Sequence, residues 1–309
     1  MTAQRARLGD GRLHLNHGPI DLIIEAFGDR AEVEAAYEQA WSRFPAILPK
    51  LSAELPQLRR PIGDAMPILE GPVARRMAEA VWPHRAHFIT PMAAVAGAVA
   101  EEMLAALVDG RALAKAYVND GGDIALHLTP GERFTAGIVT DAALPAIEGR
   151  ADIAAESAVR GIATSGRGGR SFSLGIADAV TVLARRAAEA DAAATMIANA
   201  VDIDSPAVRR QPAASLDPDS DLGLLPVTVA VGPLAPGEVA AALDAGAARA
   251  RARRCWTYPG GDAAIARRQK NRDGRWISRS ASFIRRSTKS SMKGARGRTT
   301  RCAAPPSSR

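Results

Sequence analysis

The chain has 309 residues, of which 47% are apolar, 24% charged and only 4% aromatic. These proportions are typical of a globular protein and exclude a collagen-like fibre, a disulfide scaffold and a chain disordered throughout. The length allows one large domain or two smaller ones. The longest apolar run, residues 91–100, is shorter than the roughly 20 residues that a membrane helix needs. Because the N-terminus also has no apolar stretch of signal-peptide length, we expect a cytoplasmic protein without a membrane partner.

The net charge of +7 is the sum of two parts of opposite sign. Residues 251–309 carry 17 basic and 2 acidic side chains, whereas residues 1–250 carry 23 basic and 31 acidic ones. The last part is rich in Arg, Ser and Gly, and its apolar residues show no sustained period, so it should not bury enough surface to fold. We therefore predict one body over residues 1–250 and a basic tail over residues 251–309. A change of reading frame, a disordered basic tail and a nucleic-acid-binding arm stay open; the first is favoured, so no specific nucleic-acid partner is expected.

The first predicted elements are a hairpin and a capped helix. Residues 12–16 and 20–27 have strand composition, and the His-Gly-Pro between them supplies a turn. Asp29 can cap the helix that follows, and Glu32 has the spacing of a capping box. Prolines at positions 45 and 49 break that helix, and those at positions 56, 61 and 67 predict a connector.

The remaining pattern predicts antiparallel strands covered by Ala-rich helices. Helices are predicted over residues 73–82, 91–108, 186–201 and 236–250. Strands are predicted over residues 112–118, 124–128, 133–139, 157–164, 179–184 and 227–231. Short turns between the first three of these strands indicate antiparallel pairing, since parallel strands need long crossovers. Gly97 inside a helix costs about 1 kcal/mol against Ala, which indicates close packing or a close backbone approach. The fold class is therefore α+β.

Common catalytic and phosphate-binding signatures are absent from the chain. It has no G-x-x-x-x-G-K-[ST] phosphate loop, no G-x-S-x-G elbow and no H-E-x-x-H motif, and residues 166–171 lack the last glycine of G-x-G-x-x-G. None of the five histidines has another four residues away. Cys255 and Cys302 are too few and too far apart for a zinc site or a disulfide framework. The sequence therefore assigns no catalytic residue.

Residues 119–123, Asn-Asp-Gly-Gly-Asp, are the first of three segments that could bind a ligand. Gly121 and Gly122 can take positive φ and let the backbone approach a ligand. Asn119 and Asp123 could bind a sugar or a base edge. The alternative is a hairpin turn without further function, since Asp and Gly favour such turns.

Residues 163–171, Ala-Thr-Ser-Gly-Arg-Gly-Gly-Arg-Ser, are the second segment. Their chemistry suits an anion, because Arg binds phosphate with paired donors and a glycine-rich bend can form a nest of N–H groups. The candidate contacts are Thr164, Ser165, Gly166, Arg170 and Ser171. The alternative is a solvated loop.

The third segment places Asp191 and Thr195 on one face of a helix, four residues apart. A carboxylate and a hydroxyl, completed by backbone carbonyl or phosphate oxygens, could bind Mg²⁺. The alternative is an Asp that the helix dipole favours near the helix start and a Thr packed among alanines.

In order and approximate spacing, these segments resemble the ApbE-like superfamily. Residues 116–124 (AYVNDGGDI) are similar to its strand–GGD–strand element, and residues 161–166 (GIATSG) to its A-T-S-G element. Residues 177–184 and 190–195 are similar to its S-V-T-V-x-A strand and A-D-A-x-A-T helix. An uncharacterised protein family (UPF) branch also shares the G-P-I-D-L of residues 18–22 and the F-I-T-P-M-A-A-V-A-G of residues 88–97. The resemblance covers about residues 10–250, which favours an altered tail.

The resemblance implies a T-fold-like α+β architecture and a relation to FAD:protein FMN transferases. Those enzymes depend on Mg²⁺, cleave FAD and attach FMN to a Thr or Ser hydroxyl of a target protein. The resemblance further implies that Asp191 and Thr195 are metal ligands, with a carbonyl from residues 93–97 as a third. Residues 119–123 and 164–171 would then line a site for FAD or FMN.

The chain departs from the transferase pattern at two places and from the UPF branch at a third. Residues 171–178 contain no His where the transferases carry a functional one, and Ala96 stands where they have a Lys before the glycine. Arg167-Gly168 replaces the Trp-Arg of the branch. Our first hypothesis is a protein that binds a flavin or another phosphate-bearing nucleotide with Mg²⁺ and has transferase-like activity. The alternative is a non-catalytic binding or assembly protein; for either, a homo-oligomer is considered.

Overall fold

The computed structural model describes residues 2–139, 147–252, 262–270 and 276–281. Its strands are β1 (Gln4–Arg7), β2 (Leu13–His17), β3 (Ile20–Gly28), β4 (Leu113–Asp120), β5 (Asp123–Leu128), β6 (Arg133–Val139), β7 (Ile147–Ala154), β8 (Gly161–Ser165), β9 (Ala179–Ala184), β10 (Val208–Pro212), β11 (Pro226–Val231), β12 (Asp262–Lys270) and β13 (Trp276–Ala281). Within the described ranges, nine strands form one sheet in the order β1-β2-β3-β4-β5-β8-β9-β12-β13. All neighbours in this sheet pair antiparallel, and β6-β7 and β10-β11 form separate pairs.

Seven helices accompany the strands in the described residues. They are α1 (Arg30–Arg43), α2 (Ile47–Leu58), α3 (Pro72–Val81), α4 (Val95–Val108), α5 (Ala187–Ala200), α6 (Ala213–Leu216) and α7 (Pro236–Ala252), with 3-10 turns at Phe44–Ala46, Trp82–His84 and Pro91–Ala94. Of these helices, α1, α4, α5 and α7 contact the nine-stranded sheet. Helices α4 and α5 contact each other, and between them they contact β4, β5, β8 and β9. Every residue of β9 is buried, as expected for an inner strand covered on both faces. The predicted α+β class is confirmed.

The predicted cap of the first helix is confirmed only in part. The Asp29 side chain accepts a hydrogen bond from the Ala31 N–H at 2.8 Å. Glu32 instead accepts from the Ala112 N–H at 2.9 Å and lies 3.7 Å from the Arg111 guanidinium. The carboxylate therefore ties α1 to the start of β4, and the predicted capping box is not formed.

The prolines do not prevent a second helix, so the connector predicted from position 56 is wrong at its start. Helix α2 begins at Ile47 and runs through Pro56 to Leu58. Pro49 lies in the first turn, where the helix does not use the N–H that proline lacks. Buried side chains at Ile47, Leu51 and Leu58 outweigh the one hydrogen bond lost at Pro56.

Gly97 lets two helices touch, as predicted. A Cβ atom added at Gly97 would lie only 2.4 Å from the carbonyl oxygen of Ala187 in the first turn of α5. A Cβ added at Gly161 of β8 would lie 2.3 Å from the N atom of the same Ala187. The first turn of α5 is thus held between α4 and β8 by two glycines, which brings Asp191 to the start of α4.

The stretch Pro91–Val108 is long and apolar enough to cross a membrane by length and composition, with a mean hydropathy of 1.5 over 18 residues. In this structure it comprises a 3-10 turn and α4. Helix α4 packs against α1, α3, α5 and β4, so its apolar character serves the protein core. Buried core helices meet the same length and hydropathy criteria as membrane helices.

Two strands occur in the segment predicted as a tail. Strand β12 pairs with β9, and β13 pairs with β12, while α7 extends two residues beyond the predicted boundary, to Ala252. The rest of residues 253–309 lies outside the described residues, as do Cys255 and Cys302. The division into a body over residues 1–250 and a tail over residues 251–309 stays a prediction.

Candidate functional site

A two-residue turn joins β4 to β5 and places two carboxylates opposite each other. Asp120 and Asp123 are cross-strand partners, and Gly121 and Gly122 between them have φ of +62° and +114°. The Asn119 side chain accepts a hydrogen bond from the Gly122 N–H at 2.8 Å. The hairpin interpretation of this segment is therefore right for the backbone, and the same turn also brings two acidic side chains together.

Strand β8 brings the second predicted segment to this turn. The Thr164 N–H donates to Oδ1 of Asp123 at 3.1 Å, while the Thr164 hydroxyl lies 2.9 Å from the hydroxyl of Thr181 on β9. Sheet pairing of β5 with β8 and of β8 with β9 produces both contacts. Asp123 and Thr164, predicted separately, therefore belong to one cluster.

The loop after Thr164 uses much of its own hydrogen-bonding capacity. The Arg167 N–H donates to the Ala177 carbonyl at 2.8 Å, the Gly168 N–H to the Asp178 carbonyl at 3.2 Å, and the Gly169 N–H to the Gly166 carbonyl at 3.1 Å. The Arg167 guanidinium pairs with Asp178 at 2.7 Å. A free nest of three N–H groups, as the glycines suggested, is therefore not formed at these positions.

Arg170 and Ser171 lie in the exposed part of the same loop. The Arg170 guanidinium lies against the glycine turn, since a Cβ atom added at Gly121 would be 2.5 Å from Nη2 of Arg170. Of the two arginines in the loop, Arg167 is engaged by Asp178, whereas Arg170 is placed at the acidic turn.

Helix α5 supplies the third predicted segment. Oδ2 of Asp191 accepts a hydrogen bond from the Gly97 N–H in the first turn of α4 at 3.0 Å. One helical turn further, the Thr195 hydroxyl donates to Oγ of Ser165 at 3.3 Å. Asp191 and Thr195 therefore face the same cluster as the first two segments.

Burial shapes the electrostatics of this cluster. Asp120 is 4% exposed, and Asp123 and Asp191 are each 9% exposed. Burial is the largest cause that raises the pKa of Asp120 and of Asp123 to about 7, and the Arg170 charge opposes both shifts in part. Burial, and then the charge of Asp123, raises the pKa of Asp191 well above its ordinary value. The Asp123 carboxyl therefore lies close enough to Asp191 for its charge to oppose ionisation of the Asp191 carboxyl.

Asp120 is a member of the cluster that was not singled out from the sequence. The signal was present in the two-residue period of β4, where Ala116, Val118 and Asp120 are buried on one face. An acidic residue that continues an apolar face is unusual, because burying a charge is costly unless it is compensated.

The third metal ligand implied by the resemblance, a carbonyl from residues 93–97, stays a prediction. The contact that this stretch makes with Asp191 is through the Gly97 N–H, which is a donor and does not bind a cation. Residues 171–178 lack the transferase His, and the part from Ser173 to Ala177 packs inward. The Ser173 carbonyl accepts from the Thr228 N–H at 2.9 Å, and the Ile176 N–H donates to the Val201 carbonyl at 2.8 Å.

The fold and the site define an antiparallel α+β protein with a buried cluster of carboxyl and hydroxyl groups beside a Gly-Gly-Asp turn. Comparison of the sequence with known families assigns the chain to a narrower class. A family model described as AbpE bacteria matches residues 4–266, and the chain belongs to that family. The predicted membership in a UPF branch of the ApbE-like superfamily is confirmed.

Several curated archaeal proteins are similar in sequence. A UPF0280 protein of Methanothermobacter thermautotrophicus is 35% identical over 208 residues, which cover 65% of this chain and 71% of the relative. A UPF0280 protein of Methanopyrus kandleri is 36% identical over 159 residues, covering 52% and 61%. A UPF0280 protein of Methanothrix thermoacetophila is 37% identical over 135 residues, covering 43% and 54%. The chain therefore spans less than two thirds of the length of the last two relatives.

Solved structures of flavin transferases overlap loosely with this chain. Flavin transferase ApbE from Vibrio cholerae is 12% identical with a TM-score of 0.38, and the overlap covers 91% of this chain and 98% of that one. Flavinyl transferase ApbE from Pseudomonas stutzeri, in its apo form, is 11% identical with a TM-score of 0.37, covering 90% and 93%. Overlaps this loose carry neither fold detail nor activity over to this chain.

Proposed function

We propose that the chain binds a flavin nucleotide together with Mg²⁺ and has a flavin-transferase-like function. The observation that carries the proposal is that three segments, distant in sequence, meet at one cluster. Asp123 is hydrogen-bonded to Thr164, Thr195 is hydrogen-bonded to Ser165, and Asp191 interacts with Asp123. If each segment were only a turn, a solvated loop or a packed helix, the three segments would not need to contact one another.

The residues present fit a magnesium ion. The Gly97 N–H occupies Oδ2 of Asp191, which leaves the other carboxylate oxygen and the Thr195 hydroxyl as hard oxygen donors of the kind Mg²⁺ prefers. Among the described residues, no group of three or more His, Cys, Asp or Glu side chains could hold a metal ion by itself. Phosphate oxygens and water would therefore complete the shell, so metal and nucleotide would bind together.

The metal would also supply charge that the cluster lacks. Two neighbouring carboxyls, Asp123 and Asp191, are buried, and the pKa of each is raised because ionisation there is costly. When bound, Mg²⁺ would neutralise charge on these carboxylates and on the phosphates. Arg170, exposed beside the same turn, would contact the outer phosphate oxygens with paired N–H donors.

A transferase-like activity would use FAD and a hydroxyl of an acceptor protein. The hydroxyl oxygen would bond to the phosphorus of the FMN half as the pyrophosphate bond breaks, releasing AMP and the hydroxyl proton. In this chain the residues of the cluster would bind and orient the pyrophosphate. A second candidate is nucleotide binding without transfer. This second candidate is favoured because residues 171–178 offer no His to the site and residues 173–177 pack inward.

Flavin binding with and without Mg²⁺ tests the proposal. The full chain should quench the fluorescence of FMN and bind FAD more tightly with MgCl₂ than with EDTA. Incubation with FAD, Mg²⁺ and Ser- or Thr-containing acceptor proteins, followed by chromatography for AMP, separates transfer from binding. AMP formed together with flavin-labelled acceptor supports transfer, and binding without AMP supports the second candidate. Absence of binding to FAD and FMN in both conditions would overturn the flavin proposal.

A further inference from the structure

The two glycines of the turn between β4 and β5 have different surroundings. A Cβ atom added at Gly122 would meet no atom within 4 Å, whereas one added at Gly121 would lie 2.5 Å from Nη2 and 3.4 Å from Cζ of Arg170. Both glycines have positive φ, so both satisfy the turn. Only Gly121 has a side chain resting on it.

The Arg170 guanidinium lies against Gly121 and is not neutralised by an ion pair within the described ranges. Within the described ranges it has no salt bridge of the kind that Arg167 forms with Asp178, and its side chain is exposed. Its charge nevertheless acts on Asp120 and Asp123. The guanidinium thus lies beside the acidic cluster with N–H donors still available to a ligand.

We propose that Gly121 is a positioning residue, whose bare backbone seats the Arg170 guanidinium where a ligand phosphate is bound. This proposal rests on the proposed function, and it assigns to Arg170, as seated by Gly121, the preference for phosphate-bearing over neutral ligands. The sequence suggested that a glycine here lets the backbone approach the ligand. In the structure the group that approaches the glycine is the arginine of the neighbouring loop.

A methyl group at Gly121 would displace the Arg170 side chain and leave the backbone fold unchanged. The atom it meets is the far end of a flexible side chain, which can rotate away at little cost. The backbone strain of Ala at positive φ would arise at Gly122 as well. Gly122→Ala is therefore a control without the collision, and at a φ of +114° against +62° at Gly121 it carries the larger backbone strain of the two.

The experiment compares Gly121→Ala, Gly122→Ala, Arg170→Ala and the double variant Gly121→Ala/Arg170→Ala in the full chain. Affinities for FMN and for riboflavin, which has no phosphate, are measured by flavin fluorescence with MgCl₂, and inorganic pyrophosphate is used as a competitor. Arg170→Ala should weaken FMN binding about ten- to a hundredfold, the range for a charged hydrogen bond, and leave riboflavin binding unchanged. Gly121→Ala should weaken FMN binding several-fold and leave riboflavin binding unchanged. The double variant should bind FMN no more weakly than Arg170→Ala does.

A second measurement does not need a ligand. In ¹⁵N-labelled protein, the Arg170 Nε–Hε resonance, assigned by its loss in Arg170→Lys, should shift in Gly121→Ala and not in Gly122→Ala. If wild type binds flavin but Gly121→Ala and Gly122→Ala behave alike in both measurements, the seating of Arg170 is overturned while the proposed function stands. If wild type binds none of FMN, FAD and pyrophosphate, both proposals fail. Equal losses for FMN and riboflavin would assign Gly121 a structural role instead.

Discussion

The carboxylate of Asp191 accepts a hydrogen bond from the backbone N–H of Gly97 at 3.0 Å. One residue of α5 thereby satisfies a free donor in the first turn of α4, where four N–H groups have no partner within the helix. The contact needs the two helices to approach closely, and Gly97 permits this because a Cβ there would collide with the backbone of Ala187. The packing of the core and the position of the acidic cluster therefore depend on the same glycine.

Gly97→Ala is expected to destabilise the protein although Ala is the better helix former. The added methyl group meets backbone atoms of α5 at 2.4 to 2.7 Å, so one of the helices must shift. Overpacking of this kind costs about 1–3 kcal/mol, which exceeds the roughly 1 kcal/mol gained in helix propensity. Thermal unfolding followed by circular dichroism measures the change.

Gly237→Ala in the first turn of α7 is the matched control for that change. A Cβ atom there meets nothing within 4 Å, so the melting temperature should stay level or rise slightly. An unchanged melting temperature for Gly97→Ala would show that the helices can separate at no cost.

The predictable parts of this protein are those that local patterns encode. The α5 helix and the β4–β5 turn follow from periodicity and glycine chemistry, and the placement of Asp191 and Thr195 on one face follows from helix geometry alone. Gly97 was predictable as a close approach because a mid-helix glycine is costly.

The unpredicted parts depend on partners distant in sequence. Glu32 has capping-box spacing but binds the Ala112 N–H instead. Arg167 and Arg170 are alike in sequence, yet only Arg167 has Asp178 within reach. Strand β7 was not predicted, and β8 begins at Gly161 rather than at residue 157. These features are set by tertiary contacts that a window of neighbouring residues does not contain.

Asp191→Asn is expected to reduce the Mg²⁺ dependence of nucleotide binding while the fold is kept. The amide retains an acceptor for the Gly97 N–H but loses the negative charge that attracts the cation. Thr195→Val removes a hydroxyl and should act in the same direction more weakly. Titrations of FAD, FMN and ATP with and without MgCl₂ measure the effect.

Glu189→Gln is the control for that experiment, because it removes a charge from the same helix without touching the cluster. Glu189 pairs with Arg185, and its replacement by Gln should leave the Mg²⁺ dependence of nucleotide binding unchanged. A loss of stability without ligand, together with an unaltered metal linkage in Asp191→Asn, would identify Asp191 as a structural cap only.

A chain ended at Ala250 is expected to keep a cooperative thermal transition. Helix α7 packs on the body through Val239, Ala242 and Leu243, all of which remain. The strands lost with the tail are β12, which pairs with β9 at one side of the sheet, and β13, which pairs with β12. Loss of about 1 kcal/mol would lower the melting temperature by roughly 2–4 °C.

A chain ended at Lys270, which keeps β12, is the comparison. A transition present in the longer chain and absent in the shorter one would place β12 in the folded body.

Asp120→Asn is expected to stabilise the protein in EDTA at pH 8 and much less at pH 5. Burial raises the pKa of Asp120 from 3.8 to about 7, so between these values the folded chain holds a proton that the unfolded chain has released. Stability therefore falls as the pH rises through this window, and the full cost is present above pH 7. The Asp120 carboxyl accepts a hydrogen bond from the Asp21 backbone N–H, which lowers its pKa in part. Asn carries no charge at any of these pH values, and its side-chain oxygen can still accept that N–H.

The stabilisation at pH 8 should not exceed about 4 kcal/mol, the free energy that corresponds to the difference between the two pKa values. Urea unfolding of both proteins at pH 5 and pH 8 measures it. Asp204→Asn, which removes an exposed carboxylate, is the control and should change stability little at either pH. If Asp120→Asn gives the same difference at both pH values, Asp120 is already ionised at pH 5, and the acidic cluster is better solvated than its burial indicates. If Asp120→Asn destabilises at pH 8, the charge of Asp120 is compensated within the protein, and the Arg170 charge, which lowers the pKa of Asp120, is the candidate.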